Sequence, residues 1–436
     1  MRLTIALDRK AVTEFESPLE KDILRRCLRR DLGQAVKKFD ELRLRRTALE
    51  TSLTAMFDQK PCASFFSDQD KRILAFHFAH LEYLNGCPLD ELAVTDWDFD
   101  DATALKGSHS YVAEGMQVTL DKLCSGDTNG VTIIPHYWQC VQSIEYNEKG
   151  VVVHTLSTRG PTRNSTYVAD AVLVTVPLGV LKAGYDPNFD VPPMSPSAEA
   201  QPKACLDFDP PLPQWKVDAI RSMGYGKECN KLFLVFESQF WDDRTTDARD
   251  KGREMEPNMM GRVPQDPGSR GEFYLFRFHT KYPIVCAYLA GQGAKNCSVF
   301  SESIMVSRAL DILRGAYAYC PMEPVSSFMT KWHEDPYTLG CFSHLTPTSK
   351  ISDFDDLAAP VRCHSNEGDY KGPERVYFAG EHTSKNFPAT VHGALLSGYR
   401  EAGRIADAML GCTYAPPEDC PIDLESDDDD DDVFDP

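Results

Sequence analysis

The sequence predicts a mixed fold of the α/β or α+β class. An uninterrupted apolar run at residues 171–176 is typical of a buried strand, and a tight turn follows it at 177–179. A second β-like run at 376–378 leads through a loop into a predicted helix at 390–409. Strands that lead into helices in this way pack those helices against a sheet.

Length and composition are those of a folded, multi-domain chain. The protein has 436 residues, of which 42% are hydrophobic. Its net charge of −20 argues against non-specific binding of nucleic acid by the whole chain and is compatible with a basic partner. The 14 cysteines include no C-x-x-C pair, which indicates reduced thiols in an intracellular compartment. No apolar run approaches the roughly 20 residues of a membrane span, and the charged N-terminus is unlike a secretory signal.

After an N-terminal segment at 1–17, residues 18–58 are predicted to form one long basic helix. Its apolar residues alternate spacings of three and four, as in a coiled-coil seam with Arg46 at its polar position. The seam consists of Phe39, Leu42, Leu49, Leu53 and Met56. Because a single helix cannot bury such a stripe alone, we expect a partner helix. The alternative is a solvated helix packed on its own domain.

A second predicted helix covers 71–85, and an acidic patch follows it at 96–101. Runs of acidic residues usually form solvated loops. The alternative is a surface for a cationic ligand, with Trp97 and Phe99 as apolar walls.

The middle of the chain is predicted to be rich in strands. Alternating or continuous apolar runs predict strands at 131–134, 141–146, 151–156, 171–176, 231–236, 273–278 and 284–289. Residues 183–206 are predicted to be an exposed insert and 301–319 an amphipathic helix. The six aspartates at 427–432 predict a disordered acidic tail over 413–436.

The helix predicted at 390–409 has the profile of one half of a nucleotide cradle. Small residues recur on one face, at Ala394, Gly398, Ala402 and Ala406, so a backbone or a flat ligand can approach closely. The helix start favours anions, and Glu381 before it could accept hydrogen bonds from ribose hydroxyls. Ordinary close packing of the helix is the competing interpretation.

Several motifs in order resemble the flavin-dependent amine oxidases. They lie at 175–182, 210–216, 230–231, 240–242 and 375–411. Within that family the similarity is strongest to the lysine-specific histone demethylases of the first type, and it covers about residues 20–412. The resemblance implies an amine oxidase domain at 59–412, with a substrate subdomain at about 210–345. It also implies that 18–58 is the second arm of a helical tower.

The resemblance implies a function and its partners. The chain would use FAD to demethylate mono- and dimethyl-lysine on a histone tail, releasing formaldehyde and hydrogen peroxide. It would act in the nucleus, contact a corepressor-type protein through 18–58, and meet nucleic acid only indirectly through chromatin.

The resemblance also implies roles for individual residues. The catalytic residue would be Lys231, held near the reactive edge of the flavin. Residues implied to contact the cofactor are Thr175, Pro177, Trp332, Tyr337, Glu381, Ala389, Thr390 and Val391. Residues implied to bind substrate are His80, Asn85, Asp98, Asp100, Asp101, His109 and Phe342. No metal is implied.

Each role has a plainer interpretation. Lys231 could be a lysine that extends from a strand end to solvent, and Trp332 and Tyr337 could be core residues. His77 and His80 have a spacing compatible with a metal site, but further ligands are missing and packing is favoured.

The sequence departs from the family pattern in three ways. The family's Gly-x-Gly-x-x-Gly phosphate loop is not found in the 436 residues, so we expect the chain to correspond to the C-terminal part of the enzyme. Residues 113–115 lack the family's cation, and Arg277 replaces a tryptophan. A catalytically inactive chromatin-binding module and a polyamine oxidase are therefore alternative functions.

Overall fold

The computed structural model describes most of the residues that follow the predicted long helix. The described residues are 4–7, 11–14, 68–93, 99, 103, 105, 112, 115–126, 132–159, 163–192, 205–242, 259–317, 320–365 and 368–411. The predicted helix at 18–58 and the tail at 413–436 lie outside them, as do Asp98, Asp100, Asp101 and His109.

The strands belong to four sheets. In chain order they are β1 (Thr4–Leu7), β2 (Ala11–Glu14), β3 (Gln139–Asn147), β4 (Gly150–Ser157), β5 (Asn164–Ala169), β6 (Val172–Val174), β7 (Asp207–Asp209), β8 (Gly224–Tyr225), β9 (Cys229–Val235), β10 (Met259–Val263), β11 (Leu275–Phe278), β12 (Ile284–Ala290), β13 (Ser326–Met329), β14 (Ser343–His344), β15 (Val361–Arg362) and β16 (Glu374–Phe378).

The described part of the chain has eight α-helices, of which the one at Gln117–Ser125 buries no residue. They are α1 (Asp68–Asn85), α2 (Gln117–Ser125), α3 (Leu178–Tyr185), α4 (Gln214–Ser222), α5 (Gly291–Val299), α6 (Glu302–Ala316), α7 (Ser352–Ala358) and α8 (Val391–Leu410). The mixed α/β architecture predicted from the sequence is confirmed.

The largest sheet has the order β13-β9-β12-β11-β10-β1-β2, and β1 and β10 are its parallel pair. Along β9 the side chains alternate, so Leu232 and Leu234 are buried while Lys231 and Phe233 are only half-buried. The buried face packs against α5 and α6 through a core that includes Val285. The opposite face packs in part against α1 and carries Lys231.

A second core lies between two smaller sheets, whose orders are β15-β16-β6 and β5-β4-β3-β7. A fully buried lysine on α4 helps to organise it. The Lys216 ammonium donates hydrogen bonds to the carbonyls of Asp356 (2.7 Å), Leu357 (2.9 Å) and Ala359 (2.6 Å), at the end of α7. These carbonyls lack partners within their own helix, so Lys216 satisfies them.

Most predicted elements are present with shifted ends, and one is wrong. Residues 132–135 form no strand, and Ile134 is 78% exposed, because no described strand lies beside this apolar run to pair with it. Strand β5 was not predicted, since its sequence begins with three polar residues. The predicted insert at 183–206 begins within α3 and ends at the buried Leu206, and residues 193–204 lie outside the described part.

Candidate functional site

Two parallel strands end side by side and define one edge of the site. In the β6–β16 pair, Val174 lies opposite Phe378, and the Ala379 amide donates to the Val174 carbonyl (3.1 Å). Thr175 and Pro177 follow one strand and Glu381 follows the other, so the structure brings them to the same edge. The carboxyl edge of parallel strands is where ligands bind in α/β proteins.

Glu381 is half-buried and joins three segments. Its carboxylate accepts hydrogen bonds from the Ser343 amide (3.1 Å), the Ser343 hydroxyl (2.7 Å) and the Ala389 amide (2.9 Å). Burial raises the pKa of the Glu381 carboxyl, and these hydrogen bonds act in the opposite direction. Both carboxylate oxygens therefore join the strand end before Glu381 to Ser343 and to Ala389. This structural role is separate from any contact with a ribose.

Helix α8 begins at this edge with an open first turn. The Thr390 hydroxyl caps the helix by accepting a hydrogen bond from the Gly393 amide (3.0 Å). The amides of Val391 and His392 lie in the turn where a helix has no internal acceptor, and Val391 is 66% exposed. Ala389 has a positive φ of 56°, which turns the chain into the helix. The start of α8 therefore offers donors to an anion.

The small residues predicted to share one face of α8 do not form its buried face. The residues that face the protein are Gly393, Ser397 and Glu401. A side chain at Gly393 would lie 1.9 Å from the Phe387 carbonyl, whereas one at Gly398 would meet nothing within 4 Å. The predicted face at 394, 398, 402 and 406 therefore lies next to the packed face and is open within the described part of the chain.

A cavity of about 400 Å³ opens beside the end of β6. Val141 and Val176 provide apolar lining, Tyr337 and Trp138 contribute rings, and Thr158 adds a hydroxyl. A concave, mostly apolar pocket with a few polar groups is the usual form of a small-molecule site.

Lys231 is positioned by a buried asparagine and a threonine. The Lys231 amide donates to the Thr330 hydroxyl (2.8 Å), and that hydroxyl donates to the Asn230 side-chain carbonyl (3.1 Å). The same Asn230 oxygen accepts from the Trp332 amide (3.3 Å). Asn230 thus connects the strand of Lys231 to the turn of Trp332.

A row of aromatic side chains begins beside the half-buried Lys231. Its ammonium lies 5.4 Å from the centre of the Tyr288 ring, and Tyr288 lies 5.0 Å from Tyr83 on α1. Tyr83 in turn packs on Tyr274, whose hydroxyl is 3.3 Å from Nδ1 of His80. Helix α1 and the large sheet therefore form an aromatic wall beside the lysine.

The end of α1 brings two predicted substrate residues together. A side chain at Gly86 would lie 2.9 Å from the ring of Phe342, so this ring sits directly on the helix end that carries Asn85. The Asn85 amide donates to the Leu81 carbonyl (2.9 Å). Trp332 and Tyr337 are 42% and 49% exposed, so they are not core residues in the described part of the chain.

Phe99 and Thr103 lie near α7 and α8, whereas the acidic residues predicted to bind substrate lie outside the described residues. Phe99 packs on Phe354 of α7 at 5.6 Å between ring centres. The Thr103 hydroxyl donates to the Asn386 carbonyl (2.6 Å), in the loop before α8. The positions of Asp98, Asp100, Asp101 and His109 stay a prediction.

Sequence reasoning missed three residues that shape the site. They are Asn230, Ser343 and Tyr83, to which the motifs assign no role. A buried polar residue next to a candidate catalytic lysine is a signal that could have identified Asn230. Nothing local marks Ser343 or Tyr83, because their partners are distant in sequence.

Comparison with known proteins places the chain in a family. The sequence profile of the flavin-containing amine oxidoreductases matches residues 9–406. The chain therefore belongs to this family of FAD-dependent oxidoreductases. Among the described residues, no helix has the length and apolar character needed to cross a membrane.

Several curated relatives are named as histone demethylases. A possible lysine-specific histone demethylase 1 of Drosophila melanogaster is 34% identical, over 89% of this chain and 40% of the relative. Lysine-specific histone demethylase 1 homolog 1 of Arabidopsis thaliana is 33% identical, over 77% of this chain and 34% of the relative. The Arabidopsis protein FLOWERING LOCUS D is 32% identical, over 78% of this chain and 37% of its own length. The chain thus spans less than half the length of these relatives.

The described residues fit one side of an FAD site. The cavity beside β6, the paired ends of β6 and β16, and the open first turn of α8 offer an apolar pocket and anion donors. The exposed rings of Trp332 and Tyr337 offer apolar surface of the kind that a flat ligand covers.

Proposed function

We propose that the chain carries out FAD-dependent oxidative demethylation of mono- and dimethyl-lysine on a histone tail. The observation that carries the proposal is the placement of Lys231. One buried residue, Asn230, links it to Trp332, and an aromatic wall lies beside it. When bound, FAD supplies the two-electron acceptor for amine oxidation and passes the electrons to oxygen as hydrogen peroxide.

Residues at the strand ends and at the start of α8 would hold the cofactor. Thr175 and Pro177 would contact its adenosine side, next to the cavity of about 400 Å³. Ala389, Thr390 and Val391 would meet it at the helix start, and Trp332 and Tyr337 would contact its ring system. Glu381 would keep these segments in place through its hydrogen bonds to Ser343 and Ala389.

Lys231 and the aromatic wall would prepare the amine for oxidation. Hydride loss from a methyl group requires a neutral amine with a free lone pair. Aromatic walls disfavour the ammonium form and exclude water. Lys231 would hold a water molecule close to the reacting atoms. Trimethyl-lysine has no lone pair, so the substrates would be the mono- and dimethyl forms, with formaldehyde as product after hydrolysis.

Acidic residues would hold the positively charged tail while one lysine enters the site. Asp98, Asp100, Asp101 and His109 would act with His80, Asn85 and Phe342, and the anchoring of Phe99 and Thr103 near α7 and α8 supports this arrangement. The chain would act in the nucleus, with the 18–58 helix docking a corepressor-type protein.

A second function is a flavin-free chromatin-binding module. The sequence observation that favours it is the missing Gly-x-Gly-x-x-Gly loop, which would otherwise cradle the FAD pyrophosphate.

The test starts with the colour of the purified protein, because bound oxidised flavin absorbs near roughly 450 nm. We expect flavin to be retained or restored by added FAD, and dimethyl-lysine histone-tail peptide to yield formaldehyde. Lys231→Met should abolish turnover and keep the flavin absorbance. Lys149→Met, in the exposed turn between β3 and β4, is the matched control and should keep full activity.

Three results would contradict the proposal. A colourless protein that cannot be loaded with FAD would favour the binding module. Full activity in Lys231→Met would remove this lysine from the mechanism. Faster turnover of a free polyamine than of the methylated peptide would identify a polyamine oxidase instead.

A further inference from the structure

Trp138 combines a strained backbone with an exposed ring. It lies directly before β3 and has a positive φ of 63°, which is an outlier for a bulky side chain. Two other large apolar residues with positive φ, Phe273 and Leu339, are 0% and 1% exposed, so burial offsets their strain. Trp138 is 58% exposed, and burial by the described residues therefore does not account for its conformation.

The end of the β3–β4 hairpin holds Trp138 in this conformation. Its carbonyl accepts hydrogen bonds from the Thr158 amide (2.9 Å) and the Thr158 hydroxyl (3.4 Å). The Arg159 guanidinium lies 5.0 Å from the centre of the indole, which is within the range of a cation–π contact. The neighbouring strand thus fixes the main chain, and Arg159 covers one face of the ring. Backbone strain that the surrounding structure maintains in this way is typical of ligand sites.

This indole lines the cavity of about 400 Å³ beside the end of β6. Val141, Val176 and Val180 line the same cavity with aliphatic side chains. In the sequence Val176 lies between Thr175 and Pro177, the two residues assigned above to the adenosine side of FAD. An exposed aromatic ring beside aliphatic walls suits a flat, largely apolar group.

Gln139 adds a directed polar group to this cavity. It is half-buried, and its side-chain carbonyl accepts a hydrogen bond from the Thr155 hydroxyl (2.8 Å). Because the oxygen is engaged in this way, the side-chain amide nitrogen is the donor directed to a ligand. A heteroaromatic base meets both requirements, since its face can stack on an indole and its ring nitrogens can accept a hydrogen bond.

We propose that Trp138 is a stacking residue for the adenine base of the cofactor, and that Gln139 donates to the edge of that base. The base occupies the cavity between Trp138 and the three valines, while Arg159 supports the opposite face of the indole. The inference rests on the proposed function in placing the adenosine side of FAD at this end of the site. It gives a role to a residue that lies outside all of the motifs that resemble the family.

Binding of ADP to the full-length, flavin-free protein tests this role without requiring turnover. ADP contains the adenosine half of FAD, whereas FMN contains the flavin half. We expect ADP to bind, FAD to compete with it, and FMN not to compete. Because the base stacks directly on an indole, ADP should also quench tryptophan fluorescence.

Three variants make the test specific. Trp138→Leu keeps an apolar side chain but removes the ring, so ADP should bind about 5- to 150-fold more weakly, as expected for the loss of one stacked base. Trp138→Phe keeps a ring and should restore most of the affinity, while the quenching disappears with the indole. Trp215→Phe is the matched control, because Trp215 is 41% exposed on α4 and also has a cation, the Lys216 ammonium, 5.0 Å from its ring centre. It should keep both the affinity and the quenching.

Urea unfolding shows whether the variants fold, and the exposed position of the ring predicts a nearly unchanged midpoint in Trp138→Leu. Equal ADP affinity in Trp138→Leu and the unaltered protein would overturn the stacking role, and so would an absence of ADP binding. Competition by FMN as strong as that by FAD would place the flavin ring in the cavity and overturn it as well. If Trp138→Leu does not fold, Trp138→Phe decides, since undiminished quenching there would exclude stacking on Trp138.

The outcome can be separated from that of the demethylase proposal. Formaldehyde release by a protein in which Trp138→Leu leaves ADP binding unchanged would keep the demethylase function and remove the stacking role. Weakened ADP binding in Trp138→Leu, in a chain that releases no formaldehyde, would support the stacking role and count against the demethylase function.

Discussion

Two fully buried histidines should make the fold sensitive to mild acid. His344 on β14 is 6% exposed, and neither of its ring nitrogens has a hydrogen-bond partner among the described residues. His382, beside Glu381, is 2% exposed. Burial lowers the pKa of each from its ordinary value of 6.5 to about 3, with Lys182 adding to the effect on His344 and Lys216 on His382.

The sign of the effect follows from proton linkage. Because the folded pKa is the lower one, the unfolded chain binds protons first, and stability falls as the pH drops below 6.5 towards about 3. Between about pH 7 and pH 5 each histidine costs about 2 kcal/mol, and the pair about 4 kcal/mol. That is a large part of the 5–15 kcal/mol, roughly, by which proteins are stable. The raised pKa of Glu381 acts in the opposite direction.

Urea unfolding at the two pH values measures this cost. In His344→Leu the stability lost between about pH 7 and pH 5 should be about 2 kcal/mol smaller than in the unaltered protein. Any packing change in the variant cancels, because it contributes equally at both pH values. The exposed His136, substituted in the same way, is the matched control and should leave the loss unchanged. An equal loss in His344→Leu and the unaltered protein would refute the reasoning.

Three further predictions concern buried polar contacts and the start of α8. Asn230→Leu removes the acceptor that holds Trp332 and should lower stability by about 1–3 kcal/mol in urea unfolding and reduce turnover while flavin absorbance is kept; unchanged turnover would contradict its positioning role. Lys216→Met leaves three carbonyls without their buried donor and should cost about 3–5 kcal/mol, measured in the same way; a cost under about 1 kcal/mol would show that water replaces the ammonium. Gly393→Ala places a methyl group 1.9 Å from a carbonyl and should reduce FAD retention and stability. Its matched control, Gly398→Ala, meets open space and should be neutral or stabilise by about 0.5–1 kcal/mol; similar losses in both variants would argue against the close approach.

Strands and helices whose own sequence has a clear apolar pattern were predicted from that pattern. The hairpin of β3 and β4 was predicted because alternating apolar residues flank a turn at 147–150. The run at 131–134 carries a similar signal but has no described strand beside it, and strand formation depends on a neighbour as much as on propensity. The small residues of α8 were recognised, yet the buried line lies one residue earlier, at Gly393, Ser397 and Glu401. Spacing alone does not determine how a helix is rotated about its axis.

The parts of the site that motifs encode were predictable, and the contacts between motifs were not. Lys231 and the start of α8 were found from short ordered motifs. The three hydrogen bonds that Glu381 accepts involve Ser343, 38 positions before it, and Ala389, 8 positions after it.

One segment, residues 330–343, shows why the geometry of the site depends on polar contacts rather than on the apolar cores. It carries Trp332, Tyr337 and Phe342, and the first two are largely exposed. At its start, Thr330 and Trp332 are hydrogen-bonded to Asn230 on β9. At its end, Ser343 is hydrogen-bonded to Glu381, which follows β16. Each core can therefore stay folded while loss of the hydrogen bonds to Asn230 or to Glu381 moves the aromatic residues. Because buried polar contacts weaken sharply when one partner is lost, selection for activity would act on Asn230 and Glu381 independently of selection for stability.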